Sequence, residues 1–227
     1  MNDVYELMPL DDGLQGGLAR VATIKHLLED ENPYTFAILA GDLISPSALS
    51  TCNVSSTPGE PKSLLQGRQM VDTMNHILDY ATFGNHEFDY SYSILQQRIS
   101  LSNFKWISTN VNSSATKQAI PNTFRHIIRN IPDDVTKPHV RVLLFGLTIA
   151  NNLGKNNYVS IVNDTNPLDF LSFVNDYLVS LNGQYDICIA ITHLELVDDM
   201  LLAEYLPQID IIMGKFLILV HEAYFHS

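Results

Sequence analysis

At four places this 227-residue chain carries side chains that bind cations or move protons. Gly41-Asp42 follows the apolar run 35–40, and Gly84-Asn85-His86-Glu87-Phe88-Asp89 follows 80–83. His193 follows 186–192, and Asn2-Asp3-Val4-Tyr5-Glu6 stands at the start. Singly, each has an ordinary reading. An aspartate after a strand turns or caps the chain. A lone histidine such as His193 is commonly a hydrogen-bonded core or surface residue, and Asp89 can cap a helix beginning at Tyr90. Jointly, Asp3, Asp42, Asn85 and His193 form a mixed oxygen and nitrogen donor set. Such a set suits Mn, Fe or Zn and contains too much nitrogen for a dedicated calcium site.

For these residues to meet, the runs before them must lie side by side. Ligands of open α/β sheets bind beyond the carboxyl ends of the strands, and each candidate follows a strand-like segment. Further runs at 106–111, 141–148 and 209–213 are short and continuous, as expected of strands buried on both faces. Helical patterns fall at 16–31, 63–78, 169–181 and 198–206. In the first of these, Leu18, Val21, Ile24, Leu27 and Leu28 are expected on one buried face. The order β-α-β-β-β-β-α-β-α-β predicts a layered α/β domain. Residues 45–63 read as a long surface loop and 112–138 as a second irregular region. No repeat or linker divides the chain.

Composition narrows the partners. With 25 acidic and 13 basic side chains the net charge is -12, which argues against a nucleic-acid backbone or an anionic membrane as the main partner. An acidic chain that handles phosphates needs a cation between itself and the anion. Cys52 and Cys188 are too few for a disulfide scaffold or a cysteine zinc site, and Cys188 reads as a small buried hydrophobe. No apolar stretch approaches the ~20 residues of a membrane span, and no signal-peptide pattern opens the chain. Sequons begin at Asn53, Asn112 and Asn163 and matter only in a secreted protein.

Gly41-Asp42, Gly84-Asn85-His86-Glu87 and Thr192-His193 resemble the second, third and fourth motifs of the calcineurin-like metallophosphoesterases. The extended Gly84–Asp89 motif resembles the 5'-nucleotidase branch. Asn2-Asp3-Val4-Tyr5-Glu6-Leu7 aligns with that branch's first motif, and Gly16-Gly17-Leu18-Ala19-Arg20 with its glycine-rich helix start. The resemblance implies a four-layer α-β-β-α sandwich, incomplete at its C-terminal end, under a centre of two divalent ions (Mn, Zn or Fe). Asp42 would bridge the ions, Asp3 would bind the first, and Asn85 and His193 the second. Metal-activated water would attack a phosphoric ester, a nucleotide first among the candidates. His86 would face the phosphoryl group and leaving oxygen, with Asp89 holding its other ring nitrogen. The alternative is a pseudo-phosphatase that binds or regulates through an incomplete centre.

Two departures bear on that choice. The family's first motif is Asp-x-His, whereas Asp3 is followed by Val4 and Tyr5. A neutral phenol is a poor ligand for a divalent ion, so Tyr5 is expected to line the site. The family's closing Gly-His-x-His is replaced by Gly214-Lys215-Phe216-Leu217, and His221 and His226 are wrongly spaced to substitute. At most one tightly held ion is therefore expected. Residues 1–214 are read as a partial metallophosphoesterase domain and 215–227 as a tail outside the family pattern. Gly214-Lys215-Phe216 can be encoded across an intron-donor sequence, so retained-intron translation or a gene-model error is expected for the tail; the resemblance then implies a longer product whose second domain recognises the nucleoside. The expected partner is a nucleotide or other phosphate ester, with no nucleic-acid surface and no membrane span.

Overall fold

The computed structural model describes residues 1–54, 63–150, 158–162, 166–216 and 218–220. Asn163, His221 and His226 lie outside these residues, as do parts of the expected 45–63 loop and of the 215–227 tail. In chain order the helices and strands are α1 (Leu18–Glu31), β1 (Ile38–Ala40), β2 (Asn53–Val54), β3 (Ser63–Leu64), α2 (Arg68–Met74), β4 (Tyr80–Thr82), α3 (Tyr92–Leu101), β5 (Lys105–Trp106), β6 (Val111–Ser113), β7 (His126–Ile131), β8 (Val140–Thr148), β9 (Val159–Ile161), α4 (Pro167–Ser180), β10 (Ile187–His193), α5 (Leu196–Tyr205), β11 (Ile211–Gly214) and β12 (Ile218–Val220).

Two sheets carry the architecture. One has the order β1-β4-β5, all parallel. The other runs β12-β11-β10-β8-β7, parallel across β11, β10 and β8, with antiparallel edges at β12 and β7. Side chains alternate across each strand, and the alternation sorts the core into three slabs. Ile38, Ala40, Tyr80, Val142, Leu144, Ile189 and Ile191 meet between the sheets. Leu39, Ala81 and Phe83 point the other way, onto Leu18, Met70, Val71, Met74, Leu95 and Ile99 of α1, α2 and α3. Leu143, Phe145, Cys188 and Ala190 likewise face Leu171, Val174, Leu178 and Leu202 of α4 and α5. The result is an α-β-β-α sandwich. At Gly146 the sheets approach tightly: a methyl group there would overlap the Ile107 carbonyl oxygen and the Thr82 hydroxyl.

Several boundaries moved for local reasons. In α1 only Leu18 is fully buried, while Ile24, Leu27 and Leu28 face solvent. Steps of three residues rotate the stripe by about 60° each, so Leu27 ends opposite Leu18. The buried side continues instead through Val21, Ala22 and the stem of Lys25, whose amine pairs with Asp79 at 3.0 Å. The helix expected over 63–78 is confined to α2: Ser63 and Leu64 pair with β2, and Gly67 turns the chain at φ 82. The 106–111 run breaks into β5 and β6. The 112–138 region holds the six-residue edge strand β7, and the helix considered from Tyr90 forms as α3, beginning at Tyr92. Pro167 opens α4, with the Asn166 side chain accepting from Leu168 N at 3.0 Å. The tail segment 218–220 adds to β11 as β12. Among the described residues, no helix is long and apolar enough to cross a membrane.

Candidate metal centre

The chain leaves β1 through Gly41 and Asp42, both with left-handed backbone at φ 83 and φ 61. It leaves β4 through Phe83 and Gly84. These two turns interlock so closely that a methyl group on Gly84 would overlap Asp42 Oδ1. The N-terminal segment runs alongside, with Ala40 N donating to Met1 O at 2.7 Å and Asp3 N to Gly41 O at 3.1 Å. From the second sheet, His193 continues the inward-facing row of Ile189 and Ile191, and its Nδ1 reaches Ala40 O at 2.7 Å. One histidine thus joins the C-terminal ends of β10 and β1.

Carboxylate oxygens of Asp3 and Asp42 and a ring nitrogen of His193 all lie within 4.8 Å of one another. Asp42 and His193 are 2% and 1% exposed, whereas Asp3 is open to solvent. The chemistry of the group fits a cation. Because Nδ1 donates to Ala40 O, a neutral His193 presents a bare Nε2 lone pair to Asp42 Oδ2 at 3.2 Å. Two buried acceptors at that distance need a proton or a positive ion between them. Burial opposes ionisation of both. The mutual contact outweighs it, raising His193 and lowering Asp42, and the His86 N–H on Asp42 Oδ1 at 2.9 Å adds to the effect.

The remaining candidates surround this group. Asn85 and His86 line the same cavity of about 220 Å³ as Asp3, Tyr5, Asp42, His193, Glu195 and Lys215. His86 Nδ1 lies 2.8 Å from Asp89 Oδ2, which also accepts from Ser45 Oγ at 2.7 Å. The N-cap position of α3 belongs to Ser91, and Asp89 holds the histidine ring. All six candidates, Asp3, Asp42, Asn85, His86, Asp89 and His193, therefore converge at the ends of β1, β4 and β10.

Tyr5 lines the cavity as expected, and does more. Its hydroxyl lies 2.8 Å from Asp3 Oδ1 and 2.9 Å from Asp42 Oδ2, filling the space between the two carboxylates. Burial and these neighbours raise its pKa strongly, so the group stays a neutral phenol. Lys215 faces the cavity with its amine 3.3 Å from Glu195. Sequence reasoning assigned no role to Glu195, Ser45 or Glu87. Glu87 is fully buried, and burial and the charge of Asp42 push its carboxyl up to about 7. Its presence in the Gly84–Asp89 stretch was the one signal available.

Comparison with known proteins identifies the family and the fold. Residues 3–214 match the model of the calcineurin-like phosphoesterase family. The trifunctional nucleotide phosphoesterase protein YfkN of Bacillus subtilis (strain 168) is 30% identical over 100 residues, covering 44% of this chain and 7% of its own. The NAD nucleotidase (NadN) of Haemophilus influenzae superposes with a TM-score of 0.75 at 19% identity, over 94% of this chain and 41% of that one. A 5'-nucleotidase precursor from Thermus thermophilus gives 0.70 at 20% identity, over 94% and 40%. The chain thus spans less than half the length of these three relatives. A match that begins at Asp3 and closes at Gly214 takes in every donor and proton-transfer candidate above, and the chain belongs to the calcineurin-like phosphoesterase family.

Proposed function

We propose that this chain carries the hydrolytic centre of a metal-dependent phosphoric-ester hydrolase acting on nucleotides. The observation that supports it is the joining, in one cavity, of the Asp3, Asp42 and His193 donors with the His86–Asp89 pair. Asp42 would serve as the shared ligand, Asp3 holding one position and Asn85 and His193 the other. A bound divalent ion would offset the carboxylate charge facing an incoming phosphate and activate water toward phosphorus. Asp89 fixes the His86 ring through Nδ1 and leaves Nε2 to hand a proton to the departing ester oxygen as the P–O bond breaks. The cavity is smaller than the roughly 300–1,000 Å³ that encloses a whole small ligand. It therefore suits the phosphoryl end of a substrate, with the nucleoside outside it. The nucleotide class is supported by the similarity to a nucleotide phosphoesterase, an NAD nucleotidase and a 5'-nucleotidase precursor.

A binding or regulatory module is the second reading, favoured by Tyr5 between the two carboxylates. Release of inorganic phosphate from a nucleoside 5'-monophosphate, measured with and without added Mn²⁺, separates the two. Hydrolysis is expected to require Mn²⁺ and to fall by on the order of 10²–10⁴ in His86→Ala, with Mn²⁺ binding retained. Mn²⁺ binding without any turnover supports the module instead.

A further inference from the structure

Glu87 is used neither by the donor set nor by the proton-transfer pair, yet it is completely buried. Its carboxyl collects four backbone N–H groups. Oε2 accepts from Gly84 at 2.6 Å and Asp42 at 2.9 Å, and Oε1 from Leu43 at 2.6 Å and Ile44 at 3.2 Å. Three of these donors belong to the turn that carries Asp42, and the fourth to the turn that carries Asn85 and His86. Each oxygen takes two N–H groups, a pattern only an acceptor-only carboxylate satisfies fully. The two at 2.6 Å have the short length of charge-assisted bonds. The turn it holds contains Asp42 in the left-handed region, a conformation that persists in a non-glycine residue when its surroundings enforce it. From that backbone position Asp42 receives the His86 N–H on one oxygen and faces His193 with the other.

We propose that Glu87 is a positioning residue of the metal centre, whose carboxylate ties the β1 and β4 turns together and so aims Asp42 between Asp3 and His193. The proposal rests on the reading of Asp42 and His193 as metal ligands. The full chain is compared with Glu87→Gln and Glu87→Asp at pH 8, with Mn²⁺ affinity read from the electron paramagnetic resonance of the free ion. Folding is followed by circular dichroism. Val174→Ala, in the slab under the second sheet, controls for lost stability alone. An amide keeps one acceptor oxygen and sets its NH₂ against two N–H groups. Glu87→Gln is therefore expected to weaken Mn²⁺ binding at least tenfold while folded, with Glu87→Asp recovering part of the loss and Val174→Ala binding normally. Unchanged affinity in either folded Glu87 variant overturns the proposal. A tenfold loss in Val174→Ala, or failure of both Glu87 variants to fold, assigns Glu87 to general stability and also overturns it. A wild-type chain that binds no Mn²⁺ removes the ligand reading itself, and this proposal with it.

Discussion

Asp199 on α5 is a buried carboxyl whose neighbours compensate its burial only in part, and its replacement by asparagine should stabilise the protein. The residue is 0% exposed. Neither of its oxygens makes a well-formed hydrogen bond among the described residues, nor does the Thr192 hydroxyl beside it. Burial, with repulsion from Asp198, pushes the carboxyl up to about 6 from the ordinary 3.8; Thr192, Lys215 and His193 offset only part of this. A carboxyl that is harder to ionise in the folded state costs nothing below about pH 4, where both states are protonated. As pH rises from there to about 6 the unfolded chain loses its proton first and stability drains away, by about 3 kcal/mol in all. Asp199→Asn cannot ionise. At pH 7.5 it should recover about 2–3 kcal/mol, a rise in Tm of roughly 5–10 °C for a chain of this size. Urea denaturation of both proteins in EDTA, at pH 4 and pH 7.5, gives the comparison. The reasoning fails if the variant gains nothing at pH 7.5. It fails equally if the gain persists undiminished at pH 4, since the benefit would then owe nothing to ionisation.

Three further substitutions probe other parts of the structure. Tyr5→His exchanges a neutral hydroxyl between Asp3 and Asp42 for a nitrogen ligand, so calorimetric titration should show tighter Mn²⁺ binding by about tenfold or a second equivalent; a weaker isotherm would mean Tyr5 contributes to the site. Gly146→Ala puts a methyl group into the Ile107 carbonyl and Thr82 hydroxyl where the sheets meet, and should cost about 1–3 kcal/mol by urea denaturation. A neutral result would show slack between the sheets. Asn166→Ala removes the α4 cap and should cost about 1 kcal/mol in the same assay, with no change in Mn²⁺ affinity.

How far these features were legible depends on where their physics resides. β8 and β10 are buried on both faces, so unbroken apolar runs announce them within a residue of their ends. The donors were legible for a related reason: a polar residue directly after such a run must emerge at the sheet's carboxyl edge. The face of α1 was misread because apolar residues three apart look periodic while winding around the helix. β7 pairs with β8 along one side only, as a sheet edge, and its half-buried residues carry no continuous apolar signal. Glu87 and Asp199 were illegible as anything but acidic residues. The first acts through four backbone N–H groups contributed from two turns, and the second through burial against Gly214, neither of which is written in residue type.

The two halves of the centre are held with unequal firmness, and that bears on how many ions it would retain. Asp42, Asn85 and His193 sit on interlocked turns and the end of β10, buried, with Asp42 hydrogen-bonded to the His86 N–H and His193 to Ala40 O. Asp3 is exposed and rides on an N-terminal segment bonded alongside β1, its carboxylate engaged by Asn2 at 2.6 Å and Tyr5 at 2.8 Å. An ion on the His193 side would meet Asp42, Asn85 and His193 on backbone already fixed, with only the Tyr5 contact on Asp42 Oδ2 to displace. An ion on the Asp3 side would have to displace the same phenol from both carboxylates, and would gain no nitrogen ligand in exchange. Unequal pre-organisation of this kind would favour one tight equivalent over two.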